Sequence, residues 1–417
     1  MEGEIWNVIV DWCIALACIL YCYIVGKFIE QGTTRFLALF PVIPLFFYLP
    51  LNLTSMFLCS LTFFFMSWLA SFKIILFAFD LGPLASNPPL PLSHFIPIAC
   101  LPIKILNTSS RDQENSKTTQ KSAKDYVTRV VIFAITIKLF GYLDYVHPLF
   151  ATSIYAYYVF FTLELLLALT AFMARTLVGV ELEPQFNQPQ NATSVQNFWG
   201  KRWNLMVSSI LRTMVYLPSR RLFGHVIPQK WVSVPAVFST FVVSGIMHQL
   251  IFYYLGRLTP TWEVTWFFVI HGACVGTEIV IKKTIGQRVK LPHTASRVLT
   301  LGFVILTCSW LFFPPFLRFN PFVKACKEVM AFVEFCKHGH LVSPNELVCP
   351  YNLEGSCMIQ VRHVLKQVAV TRRVAARAFT KAKLVLCQSI GMNCLKQYVG
   401  VLIIDKLLSL KSQSLIN

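Results

Sequence analysis

The sequence predicts an all-α polytopic membrane protein of about eight transmembrane helices with further helices at the interface. Three observations carry that prediction. Hydrophobic residues make up 55% of the 417 residues and charged ones only 13%, against about 25% charged in a soluble domain. The mean hydropathy is +0.59. Apolar runs long enough for the roughly 20 residues that a span requires recur from the N-terminus to about residue 317.

In chain order, the runs that qualify are 8–26, 36–51, 55–79, 129–145, 149–174, 233–255, 262–282 and 298–317. Pro41, Pro44 and Pro50 interrupt the second, which is expected to be tilted or broken. The fourth carries Lys138. Glu164, inside the fifth, is expected to pair with a neighbouring helix, since an isolated carboxylate in lipid is costly. Segment 82–103 is apolar but holds Pro83, Pro88, Pro89, Pro91, Pro97 and Pro102, which argue against a regular helix and for a path along the interface. The stretch 107–125 is polar and expected to be mobile.

The net charge of +18 comes from 37 Lys and Arg against 19 Asp and Glu. In a soluble protein that excess suggests nucleic acid. Here the cations lie mostly between apolar runs, so they report topology and lipid headgroups instead, and no nucleic acid is expected. They give a consistent orientation. The acidic N-terminus (Glu2, Glu4, Asp11) faces the lumen, and the loops 80–128, 175–232 and 283–297 are cytosolic. That N-terminus lacks the basic region of a signal peptide, so the first apolar run is expected to be retained. Asn52, Asn107 and Asn191 open N-x-S/T sequons; two lie on predicted cytosolic loops and one at a membrane edge, so none is expected to be glycosylated. The thirteen Cys form no C-x-x-C pair and indicate neither a disulfide framework nor a metal site.

The chain divides into a transmembrane body, 1–337, and a tail, 338–417. The tail has ten Lys and Arg, three acidic residues and no run long enough to span. Within it, 361–388 and 395–410 are expected to be amphipathic helices on an anionic lipid surface, or disordered.

Ionisable groups inside a membrane are functional candidates by default. His248 lies in Val242-Val243-Ser244-Gly245-Ile246-Met247-His248-Gln249-Leu250. It is fifteen residues from Ser233, on the order of 22 Å deep at 1.5 Å per residue. Alone it can be a packing residue or a reactive one. Upstream stands Asn197-Phe198-Trp199-Gly200-Lys201-Arg202-Trp203-Asn204, where Trp199, Trp203, Met206, Ile210 and Met214 recur at helical spacing and Lys201, Arg202 and Arg212 supply charge. Alone this segment is an interfacial anchor or a binding surface for an anionic substrate. His271, with Glu278 seven residues on and on the same helical face, fits either an interhelical contact or proton handling. A G-x-S-x-G elbow, a P-loop, a G-x-G-x-x-G loop and the H-H-x-x-x-D string of bacterial wax ester synthases are all absent.

Taken in order, these segments resemble the membrane-bound O-acyltransferase superfamily, which pairs an Asn or Asp after an aromatic, basic segment with a His in a later apolar helix. The similarity is closest to plant wax synthases, the long-chain-alcohol O-fatty-acyltransferases, and runs from the first span to about Phe335. It includes Phe64 to Pro83, Cys100 to Ile105, Asn197 to Arg212, Ser244 to His248, and Pro260 to Gly272. The resemblance implies a multi-pass enzyme of the endoplasmic reticulum, with acyl-CoA as co-substrate, a long-chain alcohol as acceptor, and no metal or prosthetic group. His248 is then the general base and Asn204 either an oxyanion donor or the residue that orients the imidazole. Lys201, Arg202, Arg212, Trp199 and Trp203 become candidates for acyl-CoA, and His271, Glu278 and Gln249 secondary candidates. Gln249 departs from the pattern, which carries Glu after the histidine. A sterol acceptor stays open within the class, and outside it a transporter, a receptor or an inactive relative. A transporter favours internal repeats, and no convincing repeat is present.

Overall fold

A computed structural model describes residues 2–86, 88–102, 123–178, 185–285, 292–339 and 342–349. All of them fall within one compact unit, Met1–Val364. Among the described residues every regular element is helical. Seven helices are long and apolar enough to cross a membrane. They are α1 (Glu2–Phe28), α2 (Thr33–Asn52), α3 (Met56–Ala78), then, beyond two shorter helices, Phe150–Thr176, Ser233–Gly256, Glu263–Thr284 and His293–Leu317.

The two shorter helices come next in the chain. The first, α4 (Leu92–Cys100), corrects the sequence expectation for 82–103. Pro91 stands at its N-cap, and Pro97 removes only one backbone donor from a nine-residue helix. Its apolar face (Phe95, Ile98, Ala99) is buried. The fully buried Lys73 of α3 closes its C-terminal end by donating to Ile98 O and Leu101 O, both at 2.6 Å. The second, α5 (Ala123–Leu139), takes the place of the predicted fourth span. Its 17 residues extend about 26 Å, just short of a hydrocarbon core. With the turn that starts at Phe140, it forms an antiparallel hairpin with α6 (Pro148–Val178), because the pairs Arg129–Glu164, Phe133–Phe161 and Phe140–Tyr155 run in opposite directions along the two segments. Arg129 is thus the partner expected for Glu164. The polar stretch 107–125 lies outside the described residues except for its last three, and the predicted tail helices lie wholly outside them.

α2 breaks at Phe40–Pro41 and tightens to a 3-10 turn at Leu49–Asn52, as its prolines require. Two carboxylates then hold the start of α3. Glu4 accepts from Thr54 N and Ser55 N, both at 2.7 Å, and Glu328 accepts from Met56 N at 2.5 Å and Phe57 N at 3.0 Å. Carboxylates there satisfy free backbone donors and complement the helix dipole. They also tie α3 to α1 and to a later helix, Pro321–His338. That helix is further linked to 342–349 by a disulfide, Cys326–Cys349. The sequence indicated no disulfide; the pair sits 23 residues apart and depends on the chain doubling back at Gly339.

Candidate active site

His248 lies on α9 (Ser233–Gly256), which follows α7 (Val195–Lys201) and α8 (Leu205–Leu211) in the chain. Its surroundings follow from one glycine. At Gly245 a Cβ would come within 3.1 Å of Thr265 O and 3.2 Å of Phe268 Cβ. Its absence lets α10 (Glu263–Ile285) approach closely, with Thr265 Oγ1 donating to Gly245 O. One turn above Gly245, that approach lays the Phe268 ring over the His248 imidazole at 4.3 Å.

Two other rings complete the wall, and both come from π-helical turns. Trp68 belongs to the π segment Phe63–Ala70 within α3 and meets the imidazole at 5.4 Å and 80°. Phe312 belongs to the π segment Cys308–Phe312 of the last span and lies at 6.3 Å. A π turn costs hydrogen-bond geometry and recurs at functional sites, where it re-aims a side chain. A third one, Arg212–Tyr216, follows α8 and packs against α9.

The imidazole tautomer is fixed by its partner. Nδ1 lies 2.8 Å from Ser244 O. A carbonyl only accepts, so Nδ1 carries the proton and Nε2 the lone pair. Nε2 has no hydrogen-bond partner among the described residues. A half-buried imidazole with its proton anchored and its lone pair free is arranged to take a proton from a hydroxyl.

His271 is arranged differently. It is fully buried, and Trp199 Nε1 donates to its Nδ1 at 2.9 Å. Its Nε2 lies 2.9 Å from Thr307 Oγ1, whose own proton goes to Phe303 O or Val304 O. Both ring nitrogens are therefore committed, and His271 joins three elements: α7, α10 and the last span. Glu278 does not pair with it. That carboxylate accepts from Gln196 N at 2.9 Å and bridges Lys282. Phe268 touches both Trp199, at 5.7 Å, and His248, so the anchored pair buttresses the His248 wall.

The basic segment separates into roles. Arg202 donates to Asn197 Oδ1 at 2.7 Å and to the carbonyls of Asn187 and Gln188, which commits its guanidinium to bracing the 185–191 turn. Lys201 is exposed. Arg212 is exposed too and rests on the Tyr216 ring at 5.3 Å. Trp203 stacks on Phe198 at 5.4 Å. Asn204 adopts φ +40° and caps α8, its Oδ1 accepting from Val207 N at 3.3 Å. It makes no hydrogen bond to His248, whose orientation comes from Ser244. Gln249 is buried, and its Oε1 has no partner among the described residues. Among those residues no three His, Cys, Asp or Glu are grouped to hold a metal ion.

Similarity to known proteins fits this geometry. A profile of the membrane bound O-acyl transferase family matches residues 182–270, from just before α7 through α9 into α10. Acyl-CoA–sterol O-acyltransferase 1 of Arabidopsis thaliana is 43% identical over 326 residues, covering 78% of this chain and 94% of that protein. The long-chain-alcohol O-fatty-acyltransferase of Simmondsia chinensis is 41% identical over 333 residues, covering 79% and 94%. A probable long-chain-alcohol O-fatty-acyltransferase of Arabidopsis thaliana is 39% identical over 346 residues, covering 82% and 98%. This chain belongs to the membrane bound O-acyl transferase family.

One residue of the candidate site is not singled out by the sequence: Trp68. It sits in the run Phe63-Phe64-Phe65-Met66-Ser67-Trp68, where every residue but Phe64 is buried, so composition alone singles out none of them. Its indole is 2% exposed, yet Nε1 has no hydrogen-bond partner among the described residues. A buried donor left unpaired costs about 1–3 kcal/mol. The one legible sign was a lone Trp after three phenylalanines, since a buried indole normally places its N–H on a partner.

Proposed function

We propose that this protein transfers a fatty acyl group from acyl-CoA to a long-chain alcohol, forming a wax ester in the membrane of the endoplasmic reticulum. The observation that carries this reading is the single tautomer of His248, with its Nδ1–H held by Ser244 O and its Nε2 free. Nε2 takes the hydroxyl proton as the alcohol oxygen attacks the thioester carbonyl carbon. The carbonyl π pair moves onto oxygen; when it returns, the C–S bond breaks and Nε2–H protonates the departing thiolate. The Ser244 carbonyl stabilises the transient imidazolium. A thioester needs no further activation, so base, acid and an oxyanion donor suffice.

Asn204 is the donor drawn from the basic segment, and Lys201 and Arg212 suit the phosphates of CoA at the cytosolic face.

A sterol acceptor is the second reading, favoured by the 43% identity to a sterol acyltransferase. Microsomes containing the protein, fed labelled acyl-CoA with fatty alcohols, sterols and diacylglycerol in turn, test both. Label in wax ester is the expected result. Label in steryl ester alone transfers the proposal to sterols, and label in neither product overturns it.

A further inference from the structure

We propose that Trp68 is a further catalytic residue, whose indole N–H donates to the acyl carbonyl oxygen as that oxygen gains negative charge. The inference rests on the acyl-CoA reading above. It starts from a buried donor without a partner, Trp68 Nε1, on a ring that is 2% exposed and stands 5.4 Å from the His248 imidazole.

An indole N–H only donates, so the partner it lacks is an acceptor. His248 does not supply one in this arrangement: Nδ1 carries a proton, and Nε2 accepts no bond from Trp68. The substrates do. In the reaction proposed, the one oxygen that changes from weak to strong acceptor beside the base is the thioester carbonyl oxygen. Other polar groups without partners are less well matched. Gln249 Oε1 accepts rather than donates, and Trp310 Nε1, also buried and unpartnered, has no ring contact with His248.

The backbone supports the same assignment. Trp68 enters from the π segment Phe63–Ala70, anchored on one side by Ser67 Oγ donating to Phe46 O at 2.6 Å. A donor fixed on a helical wall is already in place when charge develops, which is what makes such a donor effective in the transition state. The N–H is retained throughout. The alcohol proton goes to His248 Nε2, the new C–O bond forms, the carbonyl electron pair rests on the oxygen facing Trp68, and the C–S bond then breaks.

The test compares wild type, Trp68→Phe, and a protein with 3-benzothienylalanine at position 68, in which sulfur replaces the N–H with little change of shape. Turnover is measured with acyl-CoA and the acceptor that the wild type uses. Inhibition is measured with two unreactive analogues: a ketone, with methylene in place of sulfur, and a thioether lacking the carbonyl oxygen. Both substitutions are expected to lower kcat on the order of 100-fold with little change in KM, and to abolish preference for the ketone. Unchanged kcat in a folded variant overturns the proposal. So does a lower kcat with the ketone preference intact, which would make Trp68 a positioning residue for His248. If Trp68→Phe fails to fold, the benzothienyl protein decides alone. Absence of wild-type turnover with every acceptor would sink the acyl-CoA reading itself, a result distinct from an unaffected variant beside an active wild type.

Discussion

The carbonyl of Ser244 receives the Nδ1 proton of His248 from one helical turn away, at 2.8 Å. Because both groups belong to α9, the imidazole keeps its tautomer wherever neighbouring helices move. His248→Ala is therefore expected to abolish ester formation in microsomes while membrane abundance stays near that of the wild type. His248→Gln, which keeps some bulk and polarity, should be equally inactive because an amide takes no proton. Retention of more than a few per cent of activity by either variant removes His248 as the base.

His271 is expected to behave in the opposite way. Truncation to Ala strands the Trp199 indole N–H, removes the donor to Thr307 Oγ1 and opens a cavity between three helices. The cost should be roughly 2–4 kcal/mol, seen as a lower melting temperature and lower detergent-extracted yield. The folded fraction should retain turnover. A loss of kcat larger than that of His248→Ala, at normal yield, would reverse the two assignments.

For Asn204, two tasks must be separated. Its Oδ1 caps α8, and its φ of +40° is one that Asn, Asp and Gly tolerate best. Asn204→Asp keeps the cap and the backbone conformation but loses the amide donor. It should leave the melting temperature within a few degrees of wild type while reducing kcat by about 10²-fold, the effect expected of one oxyanion donor. Normal turnover in Asn204→Asp would confine Asn204 to capping.

What could be read from the sequence was whatever depends on composition and depth along one helix. The seven spans follow from apolar runs, and His248 from its distance into one of them. The break in α2 follows from Pro41. Partners brought together by tertiary folding could not be read. Trp199 and His271 are 72 residues apart, and neither residue type announces the other. Arg202 and Lys201 are equally basic on paper; only the 185–191 turn, folding back beneath Arg202, distinguishes a brace from a surface cation. The α4 helix formed despite its prolines because burial of Phe95 and Ile98 and the Lys73 cap outweighed one missing backbone donor.

That difference between neighbouring cations is measurable. Lys201→Ala and Arg212→Ala together should raise KM for acyl-CoA about tenfold with little effect on kcat, and added salt should shrink the gap because exposed charges are screened. Arg202→Ala should instead lower yield and thermal stability, having removed a brace of three hydrogen bonds. A selective rise in KM for Arg202→Ala at normal stability would place it among the phosphate contacts.

Gln249 offers the sharpest separation of packing from function. Its Oε1 is buried next in sequence to the proposed base and has no partner among the described residues. If the amide merely fills space, Gln249→Leu relieves an unpaired acceptor and should hold or raise stability by about 1 kcal/mol with no effect on catalysis. We expect the first half of that outcome without the second: stability equal or higher, and KM for the alcohol raised at least about tenfold, because a buried acceptor without a protein partner is open to a substrate hydroxyl. Gln249→Glu retains an acceptor there and supplies the residue that the family pattern carries, so it should keep turnover within a few fold of wild type. Full activity of Gln249→Leu would assign the amide to packing, and loss of activity in both variants would point instead to a requirement for the amide N–H.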